Sequence, residues 1–371
     1  MMKIFLFLMA IVAQAQPVWR ENVVIANRLS AEGEGFRVVQ IVEGLSNPWS
    51  VAFLPGGELL VTERAGRLWR ISPKGVSQIS GLPPIRALGQ GGLLDITLHP
   101  NFATNNLVYF TFSHPGEGGV GTALARARLQ ANRLEGLQIL FSMEPKTGAG
   151  QHFGSRLVWL PDGTLLMSIG DRGDRNRAQD PSDPAGSVLR FTEDGQPAPD
   201  NPGFRHPAIY TMGNRNIQGM VVQLQTGRVY ATEHGPRGGD ELNLIARGAN
   251  YGWPLVTHGR EYSGAIITTV TSRPGFKDPL YQWTPSLAPS GLAFYHGSAF
   301  PRWEGLLMSG NLAGQRLVGI WLNDDGTVKN VVTILEGVVG RIRDVRLGSD
   351  GLVYLLTDNG RDGVFRLEPL R

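Results

Sequence analysis

The sequence predicts an all-β fold, a six-bladed β-propeller built from four-stranded antiparallel blades. Its 49 glycines and 24 prolines in 371 residues suit many short strands joined by tight turns, whereas long helices would use fewer of both. A repeat of turn, apolar strand, polar step and second strand occurs six times, with copies beginning at Gly57, Asn106, Gly163, Gly227, Gly305 and Gly351. The intervals of roughly 45 to 80 residues suit one blade per copy, and an ordinary β-sandwich rarely needs so many repeats.

The order of these segments predicts how the ring closes. The first strand of the mature chain, GFRVVQIVEGL, is expected to pair with the C-terminal segment GVFRLEP, which would remove exposed sheet edges. Uneven spacing of the repeats places insertions on loops around 171–204 and 259–289. Nothing in the pattern resembles a linker, so residues 16–371 are predicted to form a single propeller domain.

The first 15 residues are interpreted as a signal peptide. Lys3 precedes an apolar run over 4–12, and Ala-Gln-Ala at 13–15 matches an A-x-A cleavage signature. The run is too short to span a bilayer; an apolar first strand or a membrane anchor is the alternative. A periplasmic or secreted protein without stable membrane insertion is therefore expected, with the mature chain starting near Gln16.

Charge, cysteine content and several absent motifs exclude other classes. The net charge of +3 is spread without basic runs, so no nucleic-acid partner is predicted, and without cysteine there are no disulfides or thiolate metal sites. GEGGVG at 116–121 lacks a surrounding βαβ unit, which argues against nicotinamide binding. G-x-S-x-G and H-E-x-x-H are absent. DRGDRNRAQD at 171–180 is interpreted as a solvated loop, because its arginines argue against an EF-hand.

Three segments carry candidate polar chemistry. GAGQHFGSRL places His152 in a glycine-rich loop before a strand, where a general base and a satisfied core histidine are both open. MGNRNIQG offers Arg215 and Asn216 as adjacent donors to anionic or carbonyl oxygens. VGRIRDVR puts Arg341 and Arg343 on one side of a strand, facing either an anion or a surface ion-pair ladder.

A fourth segment, TEHGPRGGDELN at 232–243, combines backbone freedom with oxygen ligands. Carbonyls of Gly235 and Pro236 could face a hard cation, with Asp240 and Glu241 close by; a plain tight turn is the alternative. Together the four segments predict a pocket with a base, a hard metal ion and a guanidinium cluster. That combination suits an acidic, carbonyl-bearing cofactor bound through calcium.

These segments, together with GQGGLLDITLHPNF and APSGLAFY, resemble the soluble pyrroloquinoline quinone (PQQ)-dependent aldose sugar dehydrogenases, in order over most of the mature chain. The resemblance implies a six-bladed propeller with PQQ and Ca²⁺ as cofactors. It also implies an aldose substrate oxidised at C1 to a lactone, with electrons passed to an external acceptor such as a quinone, a cytochrome or a dye.

The resemblance assigns cofactor-binding roles to six residues, of which Gln90 also contacts the sugar. His152 would take the proton of the anomeric hydroxyl as hydride leaves C1 for the quinone. Arg215 would stabilise negative charge on the quinone oxygen. Asn216 would bind the cofactor beside it, and Arg341 and Arg343 would pair with its carboxylates.

The resemblance also implies two calcium sites. Carbonyl oxygens of Gly235 and Pro236 would hold the ion that binds PQQ and polarises its reactive carbonyl as a Lewis acid. Asp240 would anchor this loop. Glu241 and the backbone of Tyr251 match a second, structural calcium site.

For the substrate side, the resemblance implies that Gln90 holds the sugar hydroxyl beside the cofactor, that Asp95 supports its loop, and that Trp283 walls the sugar pocket. One position departs from the family pattern: glucose-oxidising members carry a lysine where this chain has Ala313. A contact to a cofactor carboxylate is therefore missing unless Arg316 supplies it. Two other functions stay open, a non-catalytic propeller that binds a sugar or protein partner, and a calcium-dependent propeller lactonase.

Overall fold

The computed structural model describes residues 16–358, 360 and 362–370, so the predicted signal peptide at 1–15 lies outside the described residues. The strands are β1 Val18–Ala31, β2 Glu34–Glu43, β3 Pro48–Phe53, β4 Leu59–Glu63, β5 Arg67–Ser72, β6 Gly75–Ile79, β7 Leu93–Leu98, β8 Leu107–Gly116, β9 Gly119–Gln130, β10 Arg133–Ser142, β11 Leu157–Trp159, β12 Leu165–Ile169, β13 Ser187–Phe191, β14 Ile209–Met212, β15 Ile217–Gln223, β16 Arg228–Glu233, β17 Asp240–Ile245, β18 Tyr281–Trp283, β19 Pro289–Phe294, β20 Leu307–Asn311, β21 Arg316–Leu322, β22 Val328–Glu336, β23 Arg341–Leu347, β24 Val353–Asp358 and β25 Gly363–Pro369. One short α-helix, α1 Phe102–Asn105, and two 3₁₀ turns, Arg175–Gln179 and Pro301–Trp303, complete the secondary structure of the described residues.

The strands form six antiparallel sheets, which confirms the predicted six-bladed β-propeller. Blades 1 to 5 are β3–β6, β7–β10, β11–β14, β15–β18 and β19–β22, and blade 6 contains β23, β24, β25, β2 and β1. The first strand of each of blades 1 to 5, and β23 of blade 6, contacts the corresponding strand of the next blade around a central channel. Blade 6 has five strands instead of the predicted four, because β1 pairs with the outer edge of β2.

The ring is closed by pairing of the two ends of the chain, as the sequence predicted. β2 runs antiparallel to β25, with Phe36 opposite Pro369 at one end and Glu43 opposite Gly363 at the other. β2 and β25 therefore lie side by side in blade 6, and the hydrogen bonds between them leave neither strand with an unpaired edge on that side.

Each predicted repeat begins at the turn before the second strand of a blade, namely β4, β8, β12, β16, β20 and β24. These strands read as apolar runs because both of their faces are covered by neighbouring blades. The contact between blades 1 and 2 shows this packing: Leu60 and Leu68 lie against Leu93, Phe110 and Phe112, and all five side chains are buried. No helix in the described part of the chain is long and apolar enough to cross a membrane.

A buried ion network crosses the central channel. Arg156 Nη1 lies 3.3 Å from Asp95 Oδ1 and 3.0 Å from Asp344 Oδ1, and Arg346 reaches the same two carboxylates at 2.9 Å each. Ser50 adds a hydroxyl hydrogen bond of 2.6 Å to Asp95. Since these residues come from blades 1, 2, 3 and 6, the network joins strands that are distant in sequence.

Candidate active site

A cavity of about 310 Å³ opens at the end of the channel where the innermost strands begin. All six blades contribute to it, because the loops that precede the innermost strands and follow the second strands converge at this end. Its wall consists of Asn47, Trp49, Arg64, Gln90, Leu94, Phe153, Gly154, Asn216, Gln218, His234, Ala288, Leu312, Arg341, Arg343 and Asp358. The wall is mainly polar and contains three arginines but one carboxylate.

The predicted arginine pair lies together on this wall. Arg341 and Arg343 both donate to Asp358, at 3.1 Å and 2.8 Å from their Nε atoms, and Arg343 Nη1 donates to the side chain of Gln218 at 3.1 Å. The two cations hold the pKa of Asp358 below its ordinary value despite its burial. One carboxylate shared between two guanidinium groups leaves uncompensated positive charge facing the cavity.

His152 directly precedes Phe153 and Gly154 of the cavity wall, although it is not itself one of the wall residues, and it forms a hydrogen-bonded pair with Asp171. Its Nδ1 lies 2.6 Å from Asp171 Oδ1, and its side chain is 13% exposed. The other oxygen of Asp171 accepts from the indole N–H of Trp253 at 2.8 Å. Because the carboxylate can only accept, Nδ1 carries the proton and Nε2 keeps a lone pair available for proton transfer.

The surroundings hold His152 in its neutral form. Burial lowers its pKa, and the charges of Arg215 and Arg172 lower it further, while the hydrogen bond to Asp171 raises it; the net shift is downward. The ordinary pKa of histidine is about 6.5, so the imidazole is unprotonated at neutral pH. A neutral imidazole with a free Nε2 has the properties of a general base.

The loop that carries His152 is fixed from two sides. The backbone N–H of His152 donates to Gln90 Oε1 at 2.8 Å, which joins blade 2 to this loop. Buried Arg172 donates to the carbonyls of Gln151 and Ala149, and its guanidinium lies 3.5 Å from the centre of the Phe153 ring. His152 itself has a φ of 55°, a left-handed conformation that persists only where neighbouring contacts enforce it.

We expect Asp171→Asn to lower kcat/KM by about 10²- to 10⁴-fold, because the amide no longer selects the Nδ1–H tautomer of His152. The acidic limb of the pH profile should also move. Asp171 raises the pKa of His152, so its removal lowers that pKa further and the residual activity should persist to lower pH. The measurement is a pH profile of kcat/KM for the activity that the sequence resemblance implies, with Asp174→Asn, an exposed acid in the same loop, as the matched control. If Asp171→Asn keeps the wild-type kcat/KM on the plateau of the pH profile, the hydrogen bond between Asp171 and His152 has no role in the reaction.

Arg215 and Asn216 directly precede β15, and their side chains line two different cavities. Asn216 lines the cavity and accepts from Gly154 N at 3.1 Å. Arg215 Nη1 donates to the carbonyls of His234 and Gly235 at 3.0 and 2.9 Å, so its guanidinium reaches the loop that was predicted to bind a cation. It lines a narrow cleft that adjoins the cavity at His234.

The Gly235–Pro236 loop is held from beneath by Asp240. This fully buried carboxylate accepts from Gly235 N at 2.9 Å and from Ser286 Oγ, Leu287 N and Ala288 N at 2.6, 2.7 and 2.8 Å. A side chain at Gly235 would not fit, because its Cβ would lie 2.3 Å from a neighbouring carbonyl oxygen. The anchoring predicted for Asp240 is present, and the loop is a compact turn with bound backbone groups.

Glu241 and Tyr251 line the narrow cleft together with Glu233. Glu233 and Glu241 share Asn243, whose amide donates to both at 3.4 and 3.1 Å. Burial raises the pKa of both carboxyls, and Glu233 adds repulsion that raises the pKa of Glu241. Neither forms an ion pair with a cationic side chain among the described residues. No group of three or more His, Cys, Asp or Glu side chains suits a metal within 16–358, 360 and 362–370, so a cation here would depend on backbone oxygens as well.

Three sequence-based expectations about individual residues are not supported. Asp95 belongs to the ion network in the channel and not to the cavity wall, where Gln90 does lie. Trp283 is buried in β18, edge-on to Tyr281 at 5.0 Å, and is not among the residues of this cavity wall, so its place beside the sugar stays a prediction. Arg316 pairs with Glu336 on the outer surface at 2.5 Å and does not supply the cation missing at position 313.

The sequence analysis missed two residues of the site. Asp171 was assigned to a solvated loop, but only 1% of it is exposed and it binds His152. Arg64, which follows β4, was not considered and lines the cavity. The signal for Asp171 was its position directly after the apolar strand LLMSIG, at the end of the blade where the site loops gather.

Known proteins resemble this chain over most of its length. The family model of the Glucose / Sorbosone dehydrogenases matches residues 45–366. Aldose sugar dehydrogenase YliI of Escherichia coli is 36% identical, over 93% of this chain and 96% of its own, and quinoprotein glucose dehydrogenase B of Acinetobacter calcoaceticus is 28% identical, over 88% and 86%. The PQQ-bound aldose sugar dehydrogenase from Streptomyces coelicolor superposes with a TM-score of 0.76 at 30% identity, covering 95% of this chain and 98% of that one.

The fold, the cavity and these similarities define a sugar-oxidising dehydrogenase of the quinoprotein class. This agrees with the resemblance seen in the sequence. The chain belongs to the Glucose / Sorbosone dehydrogenase family.

Proposed function

We propose that this chain oxidises aldoses at C1 to lactones with PQQ and Ca²⁺, that His152 is the general base, and that the electrons pass to an external acceptor. The observation that carries the proposal is the His152–Asp171 pair, which lies next in the chain to Phe153 of a cationic cavity and is bonded through the backbone of His152 to Gln90 of its wall. A general base beside a site for an anionic redox group is the minimum that this reaction needs from the protein.

The residues of the cavity fit the cofactor. PQQ is a tricarboxylate with adjacent carbonyls, and three guanidinium groups with one carboxylate line this wall. Two buried polar atoms of the wall, Arg64 Nε and His234 Nε2, have no hydrogen-bond partner within the described residues. Burial and the charges of Arg343 and Arg215 lower the pKa of His234 to about 3, so its side chain is neutral and adds no competing charge.

The residues of the chain would position the sugar and move its proton. His152 Nε2 would take the proton of the anomeric hydroxyl, and Asp171 would stabilise the imidazolium that forms. Gln90, held by the backbone of His152, presents its remaining amide donors at the cavity, where a sugar hydroxyl can accept them. Arg215 would oppose negative charge that develops next to the Gly235 loop. When bound, the quinone would accept the hydride from C1 and calcium would polarise the quinone carbonyl.

The calcium part of the proposal rests on the chemistry of the two loops. The carbonyls of Gly235 and Pro236 are consecutive in this turn, and the Gly235 carbonyl accepts from Arg215 Nη1 at 2.9 Å, a bond that a calcium ion at this oxygen would have to share or displace. Such neutral oxygens suit Ca²⁺. A second calcium ion is proposed at Glu241 and the backbone of Tyr251, and nearby Glu233 makes the acidic pair there more favourable for a cation.

The two alternative functions are less well supported by the geometry. A binding module has no need of a buried aspartate that selects one tautomer of a histidine. A lactonase would want several acidic or amide groups around a central metal, and the single carboxylate of this cavity wall, Asp358, is already bound by two arginines. A periplasmic or secreted location stays a prediction, based on residues 1–15.

Reconstitution tests the proposal. The chain is purified without cofactor, supplied with PQQ and Ca²⁺ separately and together, and assayed for dye reduction with a panel of aldoses; a lactone panel tests the hydrolase alternative. We expect sugar oxidation that needs both additions and that is lost in EDTA. If PQQ does not bind and no sugar is oxidised, the proposal is wrong and a binding role takes its place.

A further inference from the structure

Arg64 is the third arginine of the cavity wall. It follows β4 of blade 1, and its guanidinium is oriented by two hydrogen bonds, from Nη1 to Gly89 O at 3.0 Å and from Nη2 to Asn47 Oδ1 at 2.8 Å. Its Nε–H is buried and has no acceptor within the described part of the chain. A buried guanidinium donor without a partner is costly, and a ligand in the cavity would remove that cost.

The charges around Arg64 also favour the binding of an anion. Burial lowers the pKa of Arg64, and the nearby Arg343 and Arg341 lower it further, while Asp358 and Asp362 raise it. Asp358 is already shared by Arg341 and Arg343, and Asp362 accepts from Asn47 N at 2.7 Å. Arg64 forms no ion pair with any described residue. An anion bound in the cavity would therefore lie near three arginines, and Arg64 is the one of them that has no carboxylate partner among the described residues.

We propose that Arg64 is a further cofactor-binding residue, which binds a carboxylate of the quinone through its guanidinium edge. This inference rests on the proposed function, since it needs PQQ in this cavity. The resemblance implies a lysine at the position of Ala313, so Arg64 would supply a cation that this position of the chain does not. Arg64 lies in blade 1 and Ala313 in blade 5, so the cation is supplied from a different side of the cavity.

A purely structural role for Arg64 makes a different prediction. Through Gly89 it holds the loop of Gln90, so its loss could disturb the sugar side of the site without touching a cofactor carboxylate. Turnover alone cannot separate these roles. A comparison of PQQ with its trimethyl ester can, because the ester keeps the ring and the carbonyls but has no carboxylate charge.

The test is equilibrium titration of the cofactor-free protein with PQQ and with the trimethyl ester, both with Ca²⁺ and followed by quenching of tryptophan fluorescence. The variants are Arg64→Gln and Arg64→Lys. Arg70→Gln is the matched control, because Arg70 belongs to the same blade but pairs with Glu58 away from the cavity. Near-ultraviolet circular dichroism checks that each variant is folded.

We expect Arg64→Gln to weaken PQQ binding by about 10- to 100-fold, the scale of one lost hydrogen bond to a charged group, and to change ester binding little. Arg64→Lys should recover part of the loss, since it keeps the charge but not the planar fork. Equal weakening of both ligands, or no change in either, would overturn the inference and leave the proposed function intact. If the wild-type protein binds neither ligand, both proposals are wrong.

Discussion

Replacing His152 by glutamine is expected to lower turnover of the sugar by about 100-fold or more, the usual scale for a lost general base. Glutamine can still donate toward Asp171, so the loop should keep its shape, but no atom at the former Nε2 position can take a proton at neutral pH. The proposed cofactor-binding arginines lie on blades 1, 4 and 6, so PQQ and Ca²⁺ should bind as before. Single-turnover reduction of the protein-bound quinone by sugar measures this step directly.

The control for this variant is His296→Gln. His296 follows β19 at the opposite end of the channel and pairs with Glu304 on the surface, so its replacement should leave turnover unchanged. A pH profile gives an independent reading. Since the pKa of His152 is lowered, wild-type kcat/KM should hold through the ordinary histidine range and fall only at lower pH. Wild-type turnover in His152→Gln would remove this residue from the mechanism.

Arg156→Met is expected to have the largest effect on stability, about 3–5 kcal/mol of the free energy of unfolding, because it breaks a buried ion network from one side. Only 1% of Arg156 is exposed, and its loss would leave Asp95 and Asp344 facing each other with Arg346 as their remaining cation. The guanidinium also lies 4.3 Å from the centre of the Trp49 ring. Denaturation in urea, followed by tryptophan fluorescence, provides the measurement.

The matched control is Arg316→Met, which breaks the pair with Glu336 on the outer surface and should cost at most about 1 kcal/mol. The comparison holds the substitution constant and changes only the burial of the charge. Similar losses from both variants would show that the channel network contributes no more to stability than a surface ion pair does.

The blade architecture was predictable because local sequence determines it. A turn before an apolar run marks the second strand of each blade, and closure followed from the β-rich segments at the two ends of the chain. The fifth strand of blade 6 was not predicted. β1 lies on the outside with several exposed apolar side chains, so it lacks the buried pattern that marked the other strands.

The candidate site was predictable where a segment carries its own chemistry, as at His152 and at the Arg341–Arg343 strand. It was not predictable where the partner comes from another blade or a distant loop. The role of Asp171 depends on its hydrogen bonds to Trp253, 82 residues away, and to His152. Asp95 looked like a substrate residue because it follows Gln90 closely, yet it lies on the channel strand β7 with its side chain turned into the ion network.

Closure by β2 and β25 also constrains how the protein is made. A nascent chain contains β2 long before β25 exists, because β2 ends at Glu43 and β25 begins only at Gly363. Until β25 has been synthesised, β2 has an unpaired edge, and such edges recruit strands from other molecules. Pairing across nearly the whole length of the chain is also slow. Stalling or truncation before Gly363 should therefore produce an open, aggregating ring and not a slightly shortened enzyme.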